Sequence, residues 1–123
     1  MATQDWHMLV IEDDPDGREV VGRILRHHNI GLDTANTAED ALEMLKTHSY
    51  TAAIVDLSLP GMDGWTLLKQ VQRQGLRMPC VAITAYHSAE VAVEAITAGF
   101  HAYFPKPLEP TSFVRELTTI IGK

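Results

Sequence analysis

Cysteine is almost absent from this chain. Cys80 stands alone among 123 residues, so no internal disulfide can form, which fits a reducing compartment. Long apolar runs are missing as well: none approaches the ~18 residues of a membrane span. The opening stretch MATQDWHMLVIEDD has no basic segment ahead of its apolar run, which argues against a signal peptide. Lys and Arg number ten, scattered, against sixteen acids. The net charge of −6 and the lack of a basic patch argue against a nonspecific nucleic-acid surface. The six histidines show no zinc-ligand spacing. Internal repeats, low-complexity segments and linkers are also missing, so residues 1–123 are expected to form one cytoplasmic domain with one core.

What is present is a regular alternation. Short apolar runs suited to buried strands lie at His7–Ile11, Ala52–Val55 and Pro79–Ile83, with weaker ones at Ile30–Ala35 and Ala102–Phe104. Between them lie helical patterns. Val20, Val21, Ile24 and Leu25 mark the first and Ala38, Ala41, Leu42 and Leu45 the second, behind a Thr37 cap. Trp65, Leu68 and Val71 mark the third, which Gly75 ends. Val91, Ala92, Ala95 and Ile96 mark the fourth, capped by Ser88 and stopped by Gly99. The last carries Phe113, Val114, Leu117, Ile120 and Ile121. Five strands alternating with five helices predict an α/β domain, a parallel sheet with helices on both faces.

The organising stretch is IVDLSLPGMDG, Ile54 to Gly64. A buried run ends there in a carboxylate, Asp56, followed by turn chemistry at Pro60-Gly61 and Asp63-Gly64. Taken alone, Asp56 is as well explained as a turn cap. The other strand ends change the weighing: the first delivers Glu12, Asp13 and Asp14, the fourth Thr84, the fifth Lys106. In a parallel sheet these ends share one edge, where ligands bind. Clustered carboxylates repel unless a cation neutralises them. Hard oxygen donors favour Mg²⁺ with phosphate oxygens. A hydroxyl and an ammonium opposite would suit a phosphoryl group, and Asp56 is placed to accept one as an acyl phosphate.

VIEDD (10–14), IVDLSLPGMDG (54–64), AITAY (82–86) and AGFHAYFPKPL (98–108), in this order and spacing, are specific. With them the chain resembles a response-regulator receiver domain of two-component signalling. The resemblance implies a flavodoxin-like, doubly wound sheet of order 2-1-3-4-5. It implies that Asp56 is the phosphoacceptor, with Mg²⁺ held by Asp13 and Asp56, by Glu12 mainly through water and by the Ser58 carbonyl. Thr84 would be the switch hydroxyl, Lys106 the phosphoryl-pairing lysine and Tyr103 the switch aromatic. The peptide bond between Lys106 and Pro107 would be cis, and Ser58 and Tyr86 would tune the lifetime of the acyl phosphate. The expected partners are a sensor histidine kinase or histidine phosphotransfer protein, and a downstream protein or output domain reached through the fourth helix, fifth strand and fifth helix. Nucleic-acid and membrane contacts are not expected of this domain. The implied activity is that of a switch which assists its own phosphorylation and dephosphorylation, not of an enzyme acting on other substrates.

Two rival chemistries fit less well. Metal-dependent aspartyl phosphatases typically carry a second Asp two residues after the first, where this chain has Ser58. A flavodoxin-like cofactor binder needs a Gly/Ser/Thr-rich loop after the first strand, where this chain has acids. The segment His101-Ala102 lacks the acidic pair often seen in receivers joined to winged-helix domains, which puts the symmetric dimer of that subfamily in doubt.

Overall fold

The structure, a computed structural model, describes residues 5–122. The opening tetrapeptide and Lys123, which the leader argument and the expected domain bounds include, lie outside that range. The chain runs β1 (His7–Ile11), α1 (Pro15–His27), β2 (Gly31–Ala35), α2 (Ala38–Thr47), β3 (Ala52–Asp56), α3 (Gly64–Arg73), β4 (Cys80–Thr84), α4 (Ala89–Ala98), β5 (Ala102–Pro105) and α5 (Pro110–Ile121). All strand pairs are parallel and the sheet order is β2-β1-β3-β4-β5, the flavodoxin-like arrangement expected.

The strands form because both faces are apolar, as a sheet covered on two sides requires. Successive side chains alternate between faces. Leu9, Ile11, Ala53, Val55, Cys80 and Ala82 therefore build one core, shared with α2, α3 and α4. Met8, Val10, Ile54, Val81 and Ile83 build the other, against α1 and α5. The helices start where the sequence supplies side-chain acceptors: Asp14, Thr37, Asp63, Ser88 and Glu109 each take a backbone N–H of the first turn. Pro15 and Pro110 occupy first turns, where no N–H partner is lost.

Two helix-face expectations fail. Val20 is 46% exposed and Ile96 53% exposed, outside the core. Each precedes or follows a truly buried residue (Val21, Ala95) by one position, about 100° around the helix, so a broad apolar stripe did not fix which edge of it faces inward. The strand limits also move. β3 extends to Asp56 itself, and β4 starts at Cys80, with Pro79 offering only its carbonyl to Ala53 N–H. Ile30 lies before β2, buried behind Asn29, whose φ of 59° turns the chain out of α1.

Candidate functional site

The register brings the carboxyl ends of β1, β3, β4 and β5 level: Ile11 pairs with Val55, Asp56 with Ile83, and Thr84 with Pro105. Glu12 follows β1, Asp56 closes β3, Thr84 closes β4 and Lys106 follows β5. Glu12, Asp56 and Thr84 are the buried polar residues of the described chain, at 1%, 5% and 1% exposure.

Glu12, Asp13 and Asp56 each offer one carboxylate oxygen, all within 4.8 Å of one another; Asp13 is exposed and the other two are buried. Lys106 Nζ donates to Glu12 Oε1 at 2.8 Å and to Asp56 Oδ2 at 3.0 Å. Asp56 Oδ1 accepts the Ser58 N–H at 2.9 Å, which curls the loop after β3 back over the carboxylate. Thr84 is anchored from both sides. Its carbonyl accepts the Lys106 N–H at 2.8 Å, and its hydroxyl accepts the Tyr86 N–H at 3.0 Å. The bond between Lys106 and Pro107 is cis. Ser58 and Tyr86 stand exposed, Tyr86 at 74%, and Tyr103 is half-buried on β5.

The electrostatics separate the two buried acids. Burial, reinforced by the Asp56 carboxylate alongside and opposed by Lys106, pushes Glu12 up to about 8. Burial opposes ionisation of Asp56 too, but Glu12, the Ser58 N–H and Lys106 outweigh it and hold that carboxyl below the usual range. For Lys106 burial is outweighed by the same two acids, and its ammonium is held above the ordinary lysine value.

Glu12 Oε2 is buried and has no hydrogen-bond partner. A buried carboxylate oxygen left unpaired is costly. Together with an all-oxygen donor set that includes one exposed carboxylate, it fits a hard divalent cation that keeps part of its water shell.

Three contributors have parts that the sequence reading does not assign. Arg18, on the first turns of α1, reaches back to donate from one guanidinium nitrogen to the carbonyls of Glu12 (2.9 Å) and Asp13 (3.0 Å), fixing the loop that carries both acids. Gly17 makes room for Glu12, since a Cβ there would lie 2.2 Å from Glu12 Oε1. Gly64 lets α3 begin against the end of β3, where a Cβ would lie 2.6 Å from the Asp56 carbonyl oxygen. An arginine one turn into the helix after an acidic strand end is the single one of these with a signal that could have been found.

A family model of the response regulator receiver domain matches residues 8–118. The chain belongs to the response-regulator receiver family. A 14.6 kDa uncharacterized protein of Leptolyngbya boryana is 32% identical over 110 residues, which cover 88% of this chain and 84% of that one. The DNA-binding transcriptional regulator NtrC of Klebsiella pneumoniae is 31% identical over 100 residues, 81% of this chain but 21% of NtrC. The chain thus spans about a fifth of NtrC's length. A crystal structure from Chloroflexus aurantiacus superimposes with a TM-score of 0.91 at 29% identity, covering 96% of this receiver and 98% of that chain. Receivers generally bind Mg²⁺ at an acidic site and act as phosphoacceptor switches within two-component signalling. In this one the acidic cluster is Glu12, Asp13 and Asp56. Among the described residues no helix is long and apolar enough to cross a membrane.

Proposed function

We propose that this receiver takes a phosphoryl group on Asp56 from the phosphohistidine of a sensor kinase or phosphotransfer protein, and that the modified site resets the α4-β5-α5 surface. The observation that carries this is the pairing of a buried Asp56 with Lys106 inside an acidic cluster at the carboxyl edge of the sheet.

An Asp56 oxygen attacks phosphorus in line. The P–N bond to the donor imidazole breaks, an acyl phosphate forms, and the imidazole leaves with a proton from solvent. Lys106, already on Asp56 Oδ2, follows the negative charge onto the phosphoryl oxygens. Ser58 N–H keeps the second carboxylate oxygen oriented. Asp13 and Asp56, Glu12 through water and the Ser58 carbonyl would hold Mg²⁺, which when bound neutralises charge on the transferring group. The Thr84 hydroxyl then turns from Tyr86 N–H to a phosphoryl oxygen, and Tyr103 moves into the vacated space. Water attacks the acyl phosphate to reset the switch, along a path flanked by the exposed Ser58 and Tyr86.

The similarity to NtrC supports an output domain as one target, and the similarity to the Leptolyngbya chain of comparable length supports a separate protein as another. The net charge of −6 supports action through protein contact, without direct nucleic-acid binding by this domain. Intact mass spectrometry after acetyl phosphate and Mg²⁺ should show one added phosphoryl group on the wild type and none on Asp56→Asn. A wild-type chain that stays unmodified beside a control receiver that is labelled would overturn the reading.

A further inference from the structure

A side-chain contact joins the segment after β4 to β5. His87 Nδ1 and the Tyr103 hydroxyl share a hydrogen bond at 2.9 Å, with the two rings tilted by 41° and their centroids 5.6 Å apart. His87 is exposed and belongs to the turn between β4 and α4; Tyr103 is half-buried against the α2-α3-α4 side of the core. The bond therefore ties the β4-α4 turn to β5 through two side chains.

The same turn has a second tie. Thr84 Oγ1 accepts the Tyr86 N–H at 3.0 Å, closing a side-chain turn just before His87. Beyond these two bonds the segment is lightly held: Tyr86 is 74% exposed, and in α4 the buried side chain is that of Ala95. The two hydroxyls, Thr84 and Tyr103, thus fix adjacent residues of one short turn. An event that recruits the Thr84 hydroxyl elsewhere frees Tyr86 N–H and with it the seat of His87.

We infer that His87 is a positioning residue that holds Tyr103 in its outer position until Thr84 lets go of the turn. This deepens the proposed switch and rests on it for the trigger. The bond itself is a property of the resting chain. Tyr103 is half-buried on β5, so releasing its hydroxyl costs one surface hydrogen bond. Loss of that bond should raise the ratio of inner to outer Tyr103 about two- to tenfold.

The test uses the whole chain labelled with 3-fluorotyrosine, its three tyrosine resonances assigned by Tyr→Phe variants. Two substitutions divide the contact. His87→Phe keeps a ring and loses the bond, whereas His87→Asn loses the ring and keeps a hydrogen-bonding atom at the Nδ1 position. Broadening of the Tyr103 fluorine signal by a neutral gadolinium chelate reports its exposure. In the resting chain, His87→Phe is expected to be broadened less than wild type and to shift toward the position that wild type adopts with beryllofluoride and Mg²⁺. His87→Asn should stay with wild type. Equal broadening in His87→Phe and wild type, or a fall in His87→Asn as large as in His87→Phe, overturns the assignment. The resting-state comparison decides even if Asp56 takes up neither beryllofluoride nor phosphate, so failure of the phosphoryl reading and failure of the His87 tie give different results.

Discussion

Tyr50 shows how one side chain can tie the approach to β3 to both β1 and β2. It donates to Asp33 Oδ2 at 2.7 Å, while His7 Nε2 lies 3.2 Å from the same oxygen and the His7 ring stacks on Tyr50. Burial, with Asp33 adding to it, pushes the phenol up to about 12. The Tyr50 bond is the largest influence on Asp33 and holds it below the usual range. The signs follow. A phenol with a raised folded-state value contributes stability that is complete below about pH 10 and is lost as pH climbs toward 12. The depressed carboxyl contributes stability above its ordinary range and loses it as pH falls through its folded value. Tyr50→Phe should therefore cost about 1 kcal/mol at neutral pH by urea denaturation. The difference from wild type should shrink at both ends of the pH range. A difference that is flat with pH would show that packing, not the hydroxyl, is responsible.

The same scale separates what sequence could reveal from what it could not. Glu12, Asp56, Thr84 and Lys106 were legible as strand ends because an apolar run that stops at a polar residue marks the sheet edge chemically. The parts of Gly17 and Gly64 were not, because they depend on how closely α1 and α3 approach the strands. That is a distance between elements with no local pattern. Val20 and Ile96 were misplaced for a related reason: periodicity finds an apolar stripe, but only packing decides which flank is covered.

Among the elements, α4 stands apart. Its sequence, AEVAVEAITA, is apolar outside a stripe of Glu90, Glu94 and Thr97, yet Val93 is 67% and Ile96 53% exposed, and Ala95 is its one buried residue. A helix with so little buried side chain gains little from tertiary packing, which supplies most helix stability in proteins. Its Ser88 cap, accepting Val91 N–H at 3.1 Å, is correspondingly important. Native-state hydrogen exchange should find α4 amides opening well before those of β3 and β4, whose residues are all buried. Protection of α4 equal to that of the central strands would count against a loosely held α4. By contrast β1, β3 and β4 were readable in advance, since a strand enclosed on both faces leaves an unbroken apolar run.

For the molecule as a whole, a cation held by the acidic cluster would couple its binding to stability. Anything that binds the folded chain alone raises its stability by mass action. At Mg²⁺ about tenfold above its dissociation constant the gain is about 1.4 kcal/mol, or roughly 4–8 °C in melting temperature for a domain near this size. Differential scanning fluorimetry with increasing MgCl₂ should show this rise, and Asp13→Asn should remove most of it. A melting temperature that ignores Mg²⁺ in the wild type would argue that the trio holds no cation. The fold class was open to inference at this scale because alternating strand and helix patterns joined by short connections admit few topologies.

The ammonium that neutralises the cluster arrives late in the chain. Lys106 is 94 residues from Glu12 and 50 from Asp56. During synthesis a ribosome has exposed β1, β3 and their acids long before the lysine emerges. Until it does, the two acids lack the ammonium that offsets the cost of enclosing them. The nascent chain thus has an electrostatic reason to keep the acidic edge of its sheet open until the fifth strand arrives.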